Sequence, residues 1–194
     1  MPRPRSITDD QILAATVTAI GRHGPARLTL AHIADEAGVS PAALIQRFGS
    51  KAALLAAVAT HGSERAEAVF DDAAARSATP LAALREALMD LAGSIGDRSE
   101  FANHMAMLQL DLTDPELHQR AADQAAVVRR RIEALLVEAA AAGHLACAHT
   151  TRLADSVYTA YNGAMLTWAI DGAGALDAWV RARVDAVTDP YRTS

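Results

Sequence analysis

The segment from Thr29 to Lys51, TLAHIADEAGVSPAALIQRFGSK, leaves a folding chain few options. Thr29 is a helix cap ahead of Leu30, Ile33, Ala34 and Ala37, whose i, i+3, i+4, i+7 spacing makes one apolar stripe. Gly38 stops that helix, because glycine takes left-handed backbone without a steric penalty. Val39 follows as an apolar plug, Ser40 caps again, and Pro41 takes the first helical position, where a missing N–H costs nothing. Leu44 and Phe48 face inward at i, i+4; Gly49 and Ser50 make the next break and cap, and a long helix begins at Lys51. Two short helices joined by a tight glycine turn cross steeply, and the small Ala34 and Ala37 suit a close crossing. This is helix-turn-helix geometry, in which the second helix enters the DNA major groove and the first braces it.

The rest of the chain reads as helix throughout. Ala, Leu, Arg and Glu dominate, and β-branched clusters are missing. Upstream, Thr8 caps a helix running to about Arg22, with Leu13, Val17 and Ile20 on one face and Gly21, Gly24 and Pro25 ending it. Downstream, the pattern predicts helices over 51–76, 80–96, 99–111, 114–142, 150–171 and 175–188. Thr79-Pro80, Thr113-Asp114-Pro115 and Gly143 are the clearest breaks. The fold class is therefore all-α, with about nine helices. A three-helix DNA-binding domain over residues 1–50 precedes an all-helical body over 51–194.

Net charge is −5, which alone argues against a nucleic-acid partner, but its distribution reverses that impression. Residues 1–54 carry six basic groups (Arg3, Arg5, Arg22, Arg27, Arg47, Lys51) against four acidic ones (Asp9, Asp10, Asp35, Glu36), so the head is +2 and the remainder −7. Only the contacting face must meet phosphates. No apolar run approaches the roughly 20 residues of a membrane helix, and the Met-Pro-Arg-Pro-Arg-Ser start lacks the apolar stretch of a secretory signal. One cysteine, Cys147, fits a reducing compartment. The expectation is a soluble cytoplasmic protein with no membrane partner.

The run IADEAGVSPAALIQRFGSKAALLAAV, preceded by a capped first helix and followed by a long helical body, resembles the TetR family of one-component transcription regulators. The motif covers about residues 8–58; the body is similar in helix count and length, with a weaker echo from Tyr161 through Trp179 and at Pro190-Tyr191. The resemblance implies a homodimer on a palindromic operator in double-stranded DNA. A small molecule bound in the acidic body would change the spacing of the two reading heads and release the DNA.

By the same resemblance, Thr29 contacts a phosphate through its hydroxyl and neighbouring backbone N–H groups, and Lys51, the only lysine in the chain, contacts another. Ser40, Pro41, Ala42, Ala43, Ile45, Gln46 and Arg47 occupy the reading-helix positions. Ile45 departs from the family, which usually has a phosphate-reaching tyrosine there. Chemically, Ala42, Ala43 and Ile45 offer only apolar contact, for instance to thymine methyls. Gln46 suits adenine, and Arg47 suits guanine or a phosphate. Arg3 and Arg5 can reach a minor groove as an N-terminal arm, although a solvated tail is the preferred account of them.

In the body, helix 150–171 is apolar on two faces. Leu153, Val157, Tyr161, Ala164 and Trp168 form one stripe; Tyr158, Asn162, Met165 and Ala169 form another. The last helix carries Leu176, Trp179, Val180, Arg183 and Val187 on one side. The family pairs these two helices across a two-fold axis, which makes Leu153, Val157, Trp168, Leu176, Trp179, Val180 and Arg183 the dimerisation candidates. Helix 99–111 presents Phe101, His104, Met105 and Leu108 together, with Met107 beside them. With Tyr158, Tyr161, Asn162 and Met165 these are the candidate contacts of a mainly apolar effector, although each polar one also makes sense as a satisfied core group.

Other chemistry finds little support. His144 and His149 flank one break, and Asp111, Asp114, Glu116 and His118 cluster near another, but neither set has structural-zinc spacing. No nucleotide-binding or nucleophile motif is present, so no cofactor and no enzymatic activity are expected. The Arg129-Arg130-Arg131 run points three ways around a helix near Glu133 and Glu138, as a salt-bridged surface does. The alternative is a helical small-molecule-binding or enzymatic protein that merely contains a helix corner. Within the DNA-binding reading, Gln46→Ala should relax base preference, whereas Lys51→Ala should weaken binding to all duplexes alike. Titration of cognate and scrambled duplex separates the two, and equal losses for both variants would refute this division of roles.

Overall fold

Nine α-helices form among the described residues of the computed structural model, which are 7–93 and 95–193, with Asp111 described through its backbone only. They are α1 (Asp9–His23), α2 (Leu30–Ala37), α3 (Pro41–Phe48), α4 (Lys51–Arg76), α5 (Pro80–Ala92), α6 (Arg98–Thr113), α7 (Pro115–Ala141), α8 (Thr150–Asp171) and α9 (Leu176–Thr188), with a short 3-10 turn at Asp189–Tyr191. The all-α expectation holds. The main boundary differences have local causes. Gly93 stops α5 before residue 96, and the Asp97 carboxylate starts α6 by accepting from the Ser99 and Glu100 amides at 2.7 and 2.9 Å. The Ser99 hydroxyl and then the Glu100 amide hold that carboxyl below its ordinary pKa.

Packing groups the chain into two units, Met1–Gly62 with Ile95–Ala121, and Ser63–Ser94 with Ala122–Ser194. This grouping follows contacts and cuts α4 after residue 62, whereas a division at residue 50 follows the motif. Arg3 and Arg5 lie outside the described residues, as does the side chain of Asp111.

In the first unit, Thr8 begins α1 with a reciprocal cap. The Gln11 amide donates to its hydroxyl at 3.2 Å while the Thr8 amide donates to the Gln11 side chain at 3.0 Å. The core gathers Ile12, Leu13 and Ile20 of α1, Ile33 of α2, Leu44 of α3 and Leu54 of α4, with Leu28 between helices. α6 lies on α1 where glycine permits it: the Asn103 amide donates to the Gly21 carbonyl at 2.6 Å, and the His104 ring abuts Gly21. Burial depresses the His104 pKa, with Glu100 opposing. Arg120 of α7 donates to the Thr60 hydroxyl of α4.

In the second unit, α8 packs along α9, and α9 along α5. Leu84 and Leu88, Ile132 and Leu136, Val157, Val180 and Val184 are all fully buried. The Arg85–Asp185 pair joins α5 to α9. The two indoles close the α8–α9 loop, Trp168 donating to the Gly174 carbonyl at 3.1 Å and Trp179 to Ala173 at 2.5 Å. The arginine run is salt-bridged, with partners on α4 rather than α7: Arg130 meets Glu67 at 2.5 Å, Arg131 meets Asp71, and Arg129 covers the Tyr158 ring at 5.4 Å.

Gly24 carries the most exacting backbone position, at φ 70° and ψ 155°, a region essentially reserved for glycine. A Cβ there would sit 2.6 Å from the Asn103 side-chain oxygen. Gly24→Ala should therefore cost about 2 kcal/mol of stability by urea unfolding. In an Asn103→Ala background the penalty should shrink to the backbone part, about 1 kcal/mol. Equal penalties in both backgrounds would show that Asn103 is not what excludes the Cβ.

Candidate nucleic-acid interface

The interface is built from two caps and one turn. The Thr29 hydroxyl accepts the His32 amide at 3.2 Å, holding the first turn of α2. Gly38 ends α2 in the left-handed conformation, φ 66° and ψ 32°, and the Val39 amide donates back to the Ala34 carbonyl at 3.0 Å. The Ser40 hydroxyl then accepts the Ala43 amide at 3.1 Å, with Pro41 as the first residue of α3.

α3 is eight residues long and fully buries one side chain, Leu44. Phe48 is half-buried against the same core, and Ala43 is half-buried. Pro41, Ala42, Ile45, Gln46 and Arg47 are exposed. Ile45 is 43% exposed, a large apolar side chain facing outward. Beside α3, the Lys51 ammonium donates to the Leu28 carbonyl, which directly precedes Thr29. The only lysine of the chain and the cap of α2 thus stand together, a cation next to a helix N-terminus. That combination suits a phosphate.

Three features lay outside the reach of sequence spacing. Arg47 turns back from the exposed face, and its guanidinium donates to the Ile7 carbonyl at 2.8 Å. His23 of α1 and His32 of α2 stack with ring centroids 3.9 Å apart, and the Nδ1 of His32 is buried without a hydrogen bond. Arg22 pairs with Glu36 at 2.5 Å, tying α1 to α2. Each joins residues nine or more positions apart, beyond any helical periodicity.

The candidate effector contacts fall in both units. In the first, Phe101 is buried, His104 is half-buried on α1, and Met105 and Leu108 are exposed. In the second, Tyr158 lies half-buried under Arg129, Tyr161 and Met165 are buried, and Asn162 is exposed with its amide on the Tyr158 carbonyl at 2.9 Å. Burial, and secondarily Tyr158, pushes the Tyr161 hydroxyl well above its usual pKa.

Of the dimerisation candidates, Leu153, Val157, Trp168, Leu176 and Val180 are turned into the core of their own unit, and Trp179 is half-buried with the exposed Arg183 over its ring at 5.6 Å. A helix stripe that fills its own core is not available to a second copy. The large apolar side chains α8 presents outward are Leu166 and Ile170, 50% and 71% exposed. Among the described residues no three His, Cys, Asp or Glu side chains gather as a metal would require, and no single helix is long and apolar enough to cross a membrane.

Residues 12–58 match the family model described as bacterial regulatory proteins, tetR family. The whole chain is similar to solved TetR structures. A regulator of Haloarcula marismortui is 22% identical at a TM-score of 0.75, covering 95% of this chain and 98% of its own. One of Streptomyces coelicolor is 23% identical at 0.74, covering 96% and 99%. FadR of Bacillus subtilis, solved with stearoyl-CoA, is 20% identical at 0.65, covering 93% and 98%. The family model covers residues 12–58, and the structures show that the chain has the TetR fold. The structural likeness covers both units, and the family model spans α1 to the start of α4. No match was found among curated proteins.

Proposed function

We propose that this chain is a TetR-family DNA-binding regulator, a cytoplasmic homodimeric repressor that occupies a palindromic operator and leaves it when a mainly apolar small molecule binds its helical body. The observation that carries the reading is α3: a capped helix with Leu44 as its one fully buried side chain and Pro41, Ala42, Ile45 and Gln46 outward, beside the adjoining Thr29 and Lys51. Residues 1–50 act as the DNA-binding domain and 51–194 as the ligand-binding and dimerisation domain. Thr29, Ser40 and Lys51 anchor the backbone of the duplex, Gln46 reads adenine, and Ala42, Ala43 and Ile45 meet thymine methyls. Isoleucine has no hydroxyl, so the head forgoes the phosphate contact that the family's tyrosine makes. Repression by occluding a promoter needs no further domain.

The second copy docks on the outward face of α8, where Thr159, Gly163, Leu166 and Ile170 recur at i, i+4, i+7 and i+11. Two apolar side chains this exposed, one and two turns beyond a glycine that allows close helix approach, suit a self-complementary contact. The candidate effector contacts are Phe101, His104, Met105 and Leu108 of α6 within the first unit and Tyr158, Tyr161, Asn162 and Met165 of α8 within the second, each set taken by itself. The long acyl chain bound by FadR supports an apolar ligand for this chain as well.

Selection from random duplex tests the reading. A palindrome should be enriched, and a dimer meeting about six phosphates should lose roughly a thousandfold in affinity between about 50 and 200 mM salt. No salt-dependent binding to any duplex would refute it. Ile170→Glu should sediment as a monomer and lose the preference for a palindrome over a single half-site; an intact dimer would overturn the assignment of this face.

A further inference from the structure

Arg47 is the only charged residue of α3, and on a reading helix a guanidinium is suited to guanine or phosphate. In this structure it is committed elsewhere. Its Nη1 donates to the Ile7 carbonyl at 2.8 Å and lies 3.5 Å from the Asp9 carboxylate. Ile7 and Asp9 flank Thr8, the cap of α1, whereas Arg47 stands in the last turn of α3, so the contact spans forty residues of sequence. Resting on the DNA-binding reading above, we infer that Arg47 is a positioning residue, which straps the last turn of the reading helix to the start of α1 and sets the angle at which its neighbour Gln46 meets DNA.

The mechanics of α3 call for such a strap. An isolated helix of eight residues is unstable, and this one is pinned by a single fully buried side chain, Leu44. One pin leaves rotation about itself open; Phe48, half-buried, restrains it in part, and Arg47 gives a second fixed point on the opposite flank. Of its two contacts the carbonyl is the anchor. A charge-assisted bond to a backbone oxygen is stronger than a neutral one, whereas an ion pair with side chains 36% and 64% exposed contributes little. Asp9 has a second significance. With Arg47 removed it becomes an uncompensated negative charge on a head that has to approach phosphates.

The test compares wild type, Arg47→Met and Arg47→Lys on the selected operator and on a scrambled duplex, with amide hydrogen exchange on the free protein. Arg47→Met should bind the operator about tenfold more weakly, a loss the size expected for one charge-assisted bond, with base preference falling evenly at every position α3 reads. Scrambled duplex should lose less than threefold, and the salt dependence should stay as in wild type. Arg47→Lys should keep most of the affinity, because its ammonium donates to the same carbonyl. In the free protein, exchange over residues 43–48 should rise several-fold in Arg47→Met while α2 stays protected. Preference lost at one base pair would make Arg47 a base reader. Equal losses on both duplexes with the salt slope reduced by about one would make it a phosphate contact. Either outcome overturns the strap, as does unchanged exchange in Arg47→Met. A wild type that binds no duplex refutes the DNA-binding reading instead, and the exchange measurement still decides the strap.

Discussion

Four aliphatic side chains, one from each of the first four helices, hold the reading head together. Ile12, Ile33, Leu44 and Leu54 are between 0 and 1% exposed. Removing each from water is worth about 2 to 3 kcal/mol. That matters most for α2 and α3, which at eight residues apiece are too short to be stable alone. Everything the head presents outward depends on this cluster. Because α3 spends one side chain fully on the core, the rest of its surface is free to face a groove, and because that investment is small, its orientation has to be fixed by other contacts.

Those other contacts are polar and come from distant sequence. Arg22 with Glu36 ties α1 to α2, Arg47 ties α3 to the residues around the α1 cap, and Lys51 ties α4 to the carbonyl before α2. These pairs leave the +2 balance of the head unchanged, because Glu36 and Asp9 are already counted in it, but they take Arg22 and Arg47 out of its free cations. Lys51 differs, because its partner is a neutral carbonyl and its charge stays uncompensated by that bond. In the second unit the same economy appears with α4 and α7, where Glu67 and Asp71 absorb the arginine run.

The α8–α9 pair shows how two apolar stripes on one helix sort themselves. Both stripes satisfy the rule that an apolar face must be covered, and periodicity assigns no order between them. The structure gives the Leu153, Val157, Tyr161 and Trp168 stripe to the unit's own core. The indole hydrogen bonds of Trp168 and Trp179 are satisfied by the loop between the helices. Leu166 and Ile170, which belong to neither stripe, are left outward.

Local chemistry settled the head from sequence alone. Capping hydroxyls at Thr8, Thr29 and Ser40, a left-handed Gly38 and an N1 proline act within four residues of themselves, so their spacing suffices to place α1, α2 and α3 and to single out the exposed positions of α3. The end of α5 falls at Ala92 rather than 96 because Gly93 stops the helix, while the start of α6 lies within one residue of its expected place. Which arginine is occupied, which α8 face is outward and which glycine admits α6 were decided only in three dimensions. Each depends on partners tens of residues apart, as with Arg47 and Ile7 or Asn103 and Gly21, and a periodic pattern along one helix carries no information about what lies opposite it.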